Sequence, residues 1–203
     1  MALNLKIKTL FLIVTIQFLH LTSANATNNL AIKLDVTDQA QGILNKMKTV
    51  AGLPQQTHKF HCTVGFIEGI QSTEAKTLAE KIQAKLQSQL PNPIEFDVNA
   101  ITRPFNSNII GLVPTVESRN KLIEFNKIVA NVVKEITQGR YTLNAFTSTN
   151  YVPHISLANV AVANPDKALA TFNQDLQTMK ANKKGRFFLK LGTVSHTVMT
   201  VKK

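Results

Sequence analysis

The chain contains no tryptophan, two tyrosines and one cysteine, Cys62, in 203 residues. A single cysteine excludes an intramolecular disulfide, so the fold has to be held by its hydrophobic core. Without tryptophan, that core must come mainly from Phe, Leu, Ile and Val. Hydrophobic residues make up 44% and charged residues 17%, which excludes a disordered chain. Acid is also scarce. Twelve Asp and Glu stand against 23 Lys and Arg, giving a formal charge of +11. Such a surface is drawn to polyanions, although the lysines are scattered, as on any solvated surface, rather than gathered in one block. No Asn-x-Ser/Thr sequon follows Asn25, so N-glycans are not expected. The length suits one domain of ordinary size or two small lobes sharing an interface.

No apolar run is long enough to span a bilayer comfortably. The longest, Leu10 to Leu21, is broken by Thr15, Gln17 and His20 and is preceded by the basic Lys6 and Lys8. Ala24-Asn25-Ala26 then supplies the small-x-small pattern of a signal-peptidase site, and polar Thr22-Ser23 stands where a stop-transfer flank would be. Residues 1–26 are therefore expected to be a signal peptide cut near Ala26. The remaining domain, 27–203, would work in the periplasm or as a secreted protein. A retained membrane anchor is the competing reading.

The rest of the chain alternates between the two hydrophobic periods. A strand is expected over Leu30–Val36, then a helix opened by Thr37 or Asp38 with Ile43, Leu44 and Met47 on one face and Gly52 beyond its end. A strand over Lys59–Ile67 is followed by a helix from Ser72 carrying Ala75, Leu78, Ala79, Ile82 and Leu86, stopped by Pro91 and Pro93. Strands are expected over Ile94–Thr102 and Asn108–Val113, and a long helix over Ser118–Thr137 ending before Gly139. Val152–Val162 reads as a strand, Asn164-Pro165 as the cap and first turn of a helix, and Arg186–Val201 as one or two closing strands. This order predicts an α+β or α/β domain.

Two segments repeat one design. On a strand, His61-Cys62-Thr63-Val64 turns His61 and Thr63 to one face and Cys62 and Val64 to the other. His154-Ile155-Ser156-Leu157 does the same with His154 and Ser156. Each histidine also lies 11 residues before an expected helix start, Ser72 and Pro165, which points to two equivalent halves. An imidazole beside a hydroxyl on each of two facing strands suits phosphodiester chemistry. One imidazole takes a proton and the other gives one, while hydroxyls donate to the non-bridging oxygens.

Any one strand histidine is more often an ordinary residue than a catalytic one. His58, three positions before His61, is expected on the opposite face and at the surface. Zinc binding by His58, His61 and His154 is disfavoured because no Cys or carboxylate stands at a suitable spacing. His196 is expected to be structural and Cys62 a packed core residue. Tyr151, Lys59, Arg103 and Arg140 are weaker candidates for substrate contact.

His-x-Thr/Ser followed by an apolar residue, found twice and far apart, resembles the signature of the two-histidine phosphoesterase superfamily. His61-Cys-Thr-Val-Gly-Phe-Ile-Glu68 is similar to its first motif strand and Tyr151-Val-Pro-His-Ile-Ser-Leu157 to its second, including the proline before the histidine. Asn108 to Val133 resembles the intervening strand and helix of the bacterial RNA 2′,3′-cyclic phosphodiesterase, or 2′-5′ RNA ligase-like, branch. The resemblance covers about Leu30 to Lys203. It implies an α+β fold of two pseudo-symmetric lobes, each a mostly antiparallel sheet with packed helices, around a central cleft. It implies His61 and His154 as catalytic acid and base, Thr63 and Ser156 as phosphate-binding residues, and neither metal nor cofactor. The implied substrates are RNA ends, a cyclic nucleotide or another small phosphodiester. A monomer with no stable membrane association after leader removal is expected. One departure is the stretch Leu157-Ala-Asn159, which lacks the arginine that many relatives carry shortly after the second motif.

Overall fold

The computed structural model describes residues 26–90, 92–104, 108–159 and 164–201. The expected leader, apart from Ala26, lies outside the described residues. Among those described are six strands and four α-helices: β1 (Thr27–Val36), α1 (Asp38–Val50), β2 (His61–Gln71), α2 (Ser72–Ser88), β3 (Ile94–Thr102), β4 (Ile109–Pro114), α3 (Val116–Ile136), β5 (Ile155–Asn159), α4 (Pro165–Ala181) and β6 (Phe188–Thr200).

The helices begin and end where local chemistry requires. At the start of α4 the Asn164 side chain accepts from the Lys167 N–H at 3.2 Å, and Pro165 fills the first helical position, where its missing N–H costs nothing. Gly52 and Gly139, just beyond α1 and α3, take φ of +71° and +77°, the left-handed turn that releases the chain from a helix. Each helix buries one stripe. In α3 this includes Leu122, Phe125, Val129, Val132 and Val133. α2 packs against β1 and β6, α3 against β2 and β3, and α4 against β3.

All strand pairs are antiparallel and the sheet closes on itself in the order β1-β2-β5-β4-β3-β6. The class is α+β, built of two three-stranded halves, β6-β1-β2 and β3-β4-β5, each with β1 or β4 at its centre. The halves are joined twice. β2 and β5 meet at Cys62 and Ile155. On the far side β6 is one long strand whose first residues, Phe188–Leu191, pair with β3 before Leu191–Thr200 pair with β1.

Both halves carry a register shift at the same place in their motif. Between β1 and β2, Lys33 pairs with Thr63 and Ile32 with Gly65, so Val64 is passed over. Between β4 and β5, Gly111 pairs with Ser156 and Ile110 with Ala158, so Leu157 is passed over. A bulge leaves backbone groups without a ladder partner. At Val64 the carbonyl is taken up by the buried Asn126 of α3, whose Nδ2 donates to it at 2.7 Å.

Candidate active site

β5 is shorter at its start than the sequence pattern suggests. It begins at Ile155, so His154 stands immediately before the strand rather than within it. Pro153 has no N–H to offer the ladder, which explains why pairing cannot start earlier. His58 and Lys59 likewise precede β2, which opens at His61. The alternation itself is retained. Cys62, Val64, Ile155 and Leu157 are buried, whereas His61, Thr63 and His154 are half-buried and Ser156 is exposed.

The antiparallel pairing of Cys62 with Ile155 sets the two motifs side by side. Running outward from that pair, Thr63 lies on the His154 side and His61 on the Ser156 side. Imidazole and hydroxyl therefore alternate across the seam, each histidine next to the other motif's hydroxyl residue. Facing positions in such a pair stand about 5 Å apart at Cβ.

The histidines share one further feature. His61 Nδ1 lies 3.1 Å from the Lys59 carbonyl, and His154 Nδ1 lies 3.0 Å from the Val152 carbonyl, in each case two residues back. A carbonyl can only accept, so both Nδ1 atoms carry the proton. With Nδ1 protonated, Nε2 of each ring accepts a hydrogen bond when the ring is neutral and donates one when it is charged.

The surroundings differ between the halves. Asp35 is paired with His61 and Lys33 with Thr63, and both belong to the face that His61 and Thr63 share. In the second half, Gly111 takes the place of Lys33. A Cβ there would stand 3.0 Å from the Ile155 carbonyl oxygen and 3.6 Å from His154 Cδ2, so any larger residue would crowd the strand pairing beside His154. Asp35 is buried and accepts from Ser195 Oγ at 2.8 Å, and Lys33 Nζ donates to Thr197 Oγ1 at 2.7 Å. Burial lowers the His61 pKa. The Lys59 carbonyl and Asp35 oppose that shift, and Lys33 and His154 add to it.

A pocket of about 370 Å³ opens beside Thr63 and His154. Phe66 and Glu68 of β2 line it, with Asn144 and Phe146 from the loop before β5. Strict alternation from His61 would send Phe66 and Glu68 to the opposite face. The bulge at Val64 reverses the phase and brings them onto the face of the histidines.

Tyr151 borders the same pocket, but it is only 7% exposed and its hydroxyl stands 3.5 Å from Cys62 Sγ. Cys62 is fully buried, and burial pushes its thiol up to about 11. Lys59, Arg103 and Arg140 pair with Asp38, Asp166 and Glu74 respectively. His196 holds Gln83 of α2 through Nδ1 at 2.6 Å, on the helix-covered face. Among the described residues, no group of three His, Cys, Asp or Glu side chains is arranged to hold a metal ion. Lys33, Asp35, Phe66, Glu68, Asn144 and Phe146 are the site neighbours that the sequence did not single out.

No protein-family model matches the chain, and no curated protein matches it. Among solved structures it is similar to Usb1 of Kluyveromyces marxianus, with a TM-score of 0.41 and 10% identity over 88% of this chain and 100% of that one. At that level of overlap the likeness carries no information about chemistry.

Proposed function

We propose that the chain is an exported phosphodiesterase that opens 2′,3′-cyclic phosphates, or cleaves 2′-5′ or related phosphodiesters, by acid–base catalysis between His61 and His154. The observation that carries this reading is the matched pair of imidazoles, each tied through Nδ1 to a carbonyl, with a hydroxyl residue beside each.

The roles follow from the surroundings. Burial and the nearby Lys33 favour the neutral ring at His61, which is assigned as the base. The acid role is then assigned to the other ring, His154. For a cyclic phosphate, His61 Nε2 takes a proton from water as its oxygen bonds to phosphorus. The bond from phosphorus to one ribose oxygen breaks, and His154 Nε2–H protonates that oxygen as it leaves. The products are a phosphate monoester and a free ribose hydroxyl. The two rings end with their protons exchanged and reset through solvent. Thr63 and Ser156 donate to the non-bridging oxygens, where charge builds in the transition state. Lys33, paired with Thr63, brings a positive charge to this face, although the second motif lacks a following arginine. The chemistry calls on no metal or cofactor. On this reading the enzyme, freed of the expected leader, works in the periplasm or outside the cell, and acts as a monomer on RNA ends or small nucleotides.

The test is turnover of a panel of 2′,3′-cyclic nucleotides and 2′-5′ dinucleotides in EDTA. Product formation that is lost in His61→Ala and in His154→Ala is expected. Undiminished turnover in both variants would contradict the reading. Salt-sensitive binding without product would instead make the site one of nucleotide capture.

A further inference from the structure

We infer that the pocket beside Thr63 and His154 is a nucleobase subsite that selects guanine, with Phe66 and Phe146 contacting the ring and Glu68 reading its pairing edge. The inference rests on the phosphodiesterase reading of the histidine pair, because it places the substrate's phosphate at Thr63 and His154.

Phe146 is 69% exposed, an unfavourable position for a large apolar ring, yet the turn that carries it is firmly held. It sits in a 3₁₀ turn, Ala145–Thr147, capped by the Asn144 side chain, which accepts from the Thr147 N–H at 3.2 Å. Thr147 Oγ1 accepts from the Phe66 N–H at 2.9 Å, and Asn126 Nδ2 donates to the Thr147 carbonyl at 2.7 Å. An exposed ring on a pinned turn beside a second ring is a stacking platform of the kind that holds unpaired bases. The pocket volume of about 370 Å³ lies within the range of small-molecule sites.

Glu68 supplies the selectivity. It is an exposed carboxylate at the rim of a site for anions, in a chain of strongly positive charge, so attraction to phosphate cannot be its purpose. No lysine or arginine forms a salt bridge with it among the described residues; Asn144 Nδ2 donates to Oε1 over a long 3.4 Å. Five strand steps lead from Thr63 to Glu68 across the bulge, at most on the order of 16 Å, about the reach of one nucleotide from its phosphate to its base edge once both side chains are counted. A carboxylate accepts and cannot donate. Guanine alone among the four RNA bases presents two adjacent donors, N1–H and N2–H, on its pairing edge. Adenine and cytosine set an acceptor nitrogen beside the amino group, and uracil flanks its one N–H with two carbonyls.

The experiment measures binding of the 3′-monophosphates of guanosine, adenosine, cytidine and uridine by calorimetry, and kcat/KM on the four 2′,3′-cyclic nucleotides. Wild type, Glu68→Ala and Phe146→Ala are compared. The guanosine nucleotide is expected to bind at least about fivefold tighter than the others, the scale of a bidentate base contact. Glu68→Ala removes that difference, and Phe146→Ala weakens all four by about fivefold or more. Equal affinity for the four bases, or a guanine preference that persists in Glu68→Ala, overturns the inference. Turnover of all four cyclic nucleotides without preference removes the guanine subsite and leaves the phosphodiesterase reading standing. Guanosine monophosphate preference without turnover of any cyclic nucleotide supports the subsite and removes the proposed reaction.

Discussion

His61 and His154 hold the same hydrogen bond: each places Nδ1 on the carbonyl two residues earlier, at 3.1 and 3.0 Å. The bond orients each ring and fixes which nitrogen carries the proton. Two rings prepared identically would be two equivalent bases. What separates them is the central strand beside each, where Lys33 and Asp35 stand next to the first motif and Gly111 next to the second.

That difference predicts the pH profile. A bell-shaped kcat/KM is expected, with both limbs belonging to the coupled pair. Burial lowers the His61 pKa from its ordinary value, so the neutral ring survives to lower pH and the acid limb moves in that direction. Lys33 adds to the lowering and Asp35 opposes it. Lys33→Ala should therefore move the acid limb to higher pH, and Asp35→Asn should move it lower. Rate profiles of the three proteins check the two directions.

Asn126 is expected to be the polar residue whose loss costs most. Its amide donates at 2.7 Å both to Val64, at the bulge, and to Thr147, in the turn that carries Phe146. Asn126→Ala strips two carbonyls of their partner in a buried place, at a cost of about 3 kcal/mol. Denaturant unfolding measures that cost. A loss below about 1 kcal/mol would mean that water replaces the amide.

Cys62 is expected to be inert in the folded protein. Its sulfur is buried beneath the site and its thiol is pushed up to about 11, so almost no thiolate exists at neutral pH. A small alkylating reagent should label it at pH 7.5 only after denaturant is added, followed by mass spectrometry.

Much of this was legible in the residues. The His-x-hydroxyl-apolar pattern set the buried and wet sides of β2 and β5, and Asn164-Pro165 marked the start of α4 because both residues act locally. The bulge at Val64 was not legible, since it depends on register with β1 and on a carbonyl partner, Asn126, 62 residues away. That one slip hid Phe66 and Glu68. Lys33 and Asp35 were hidden for a related reason: they reach the site through strand pairing and carry no local signature. The start of β5 was misplaced because the apolar pattern runs through Val152 and Pro153, where proline cannot join a ladder.

The most direct test of a proton exchanged between two rings is the rate of the double variant. Cyclic phosphate hydrolysis in EDTA would be compared for wild type, His61→Ala, His154→Ala and the variant lacking both histidines. Groups acting as one unit are not additive, so each single variant should lose nearly as much kcat as the double. Independent losses that multiply in the double variant, or a single variant that keeps wild-type kcat, would contradict the two-histidine account.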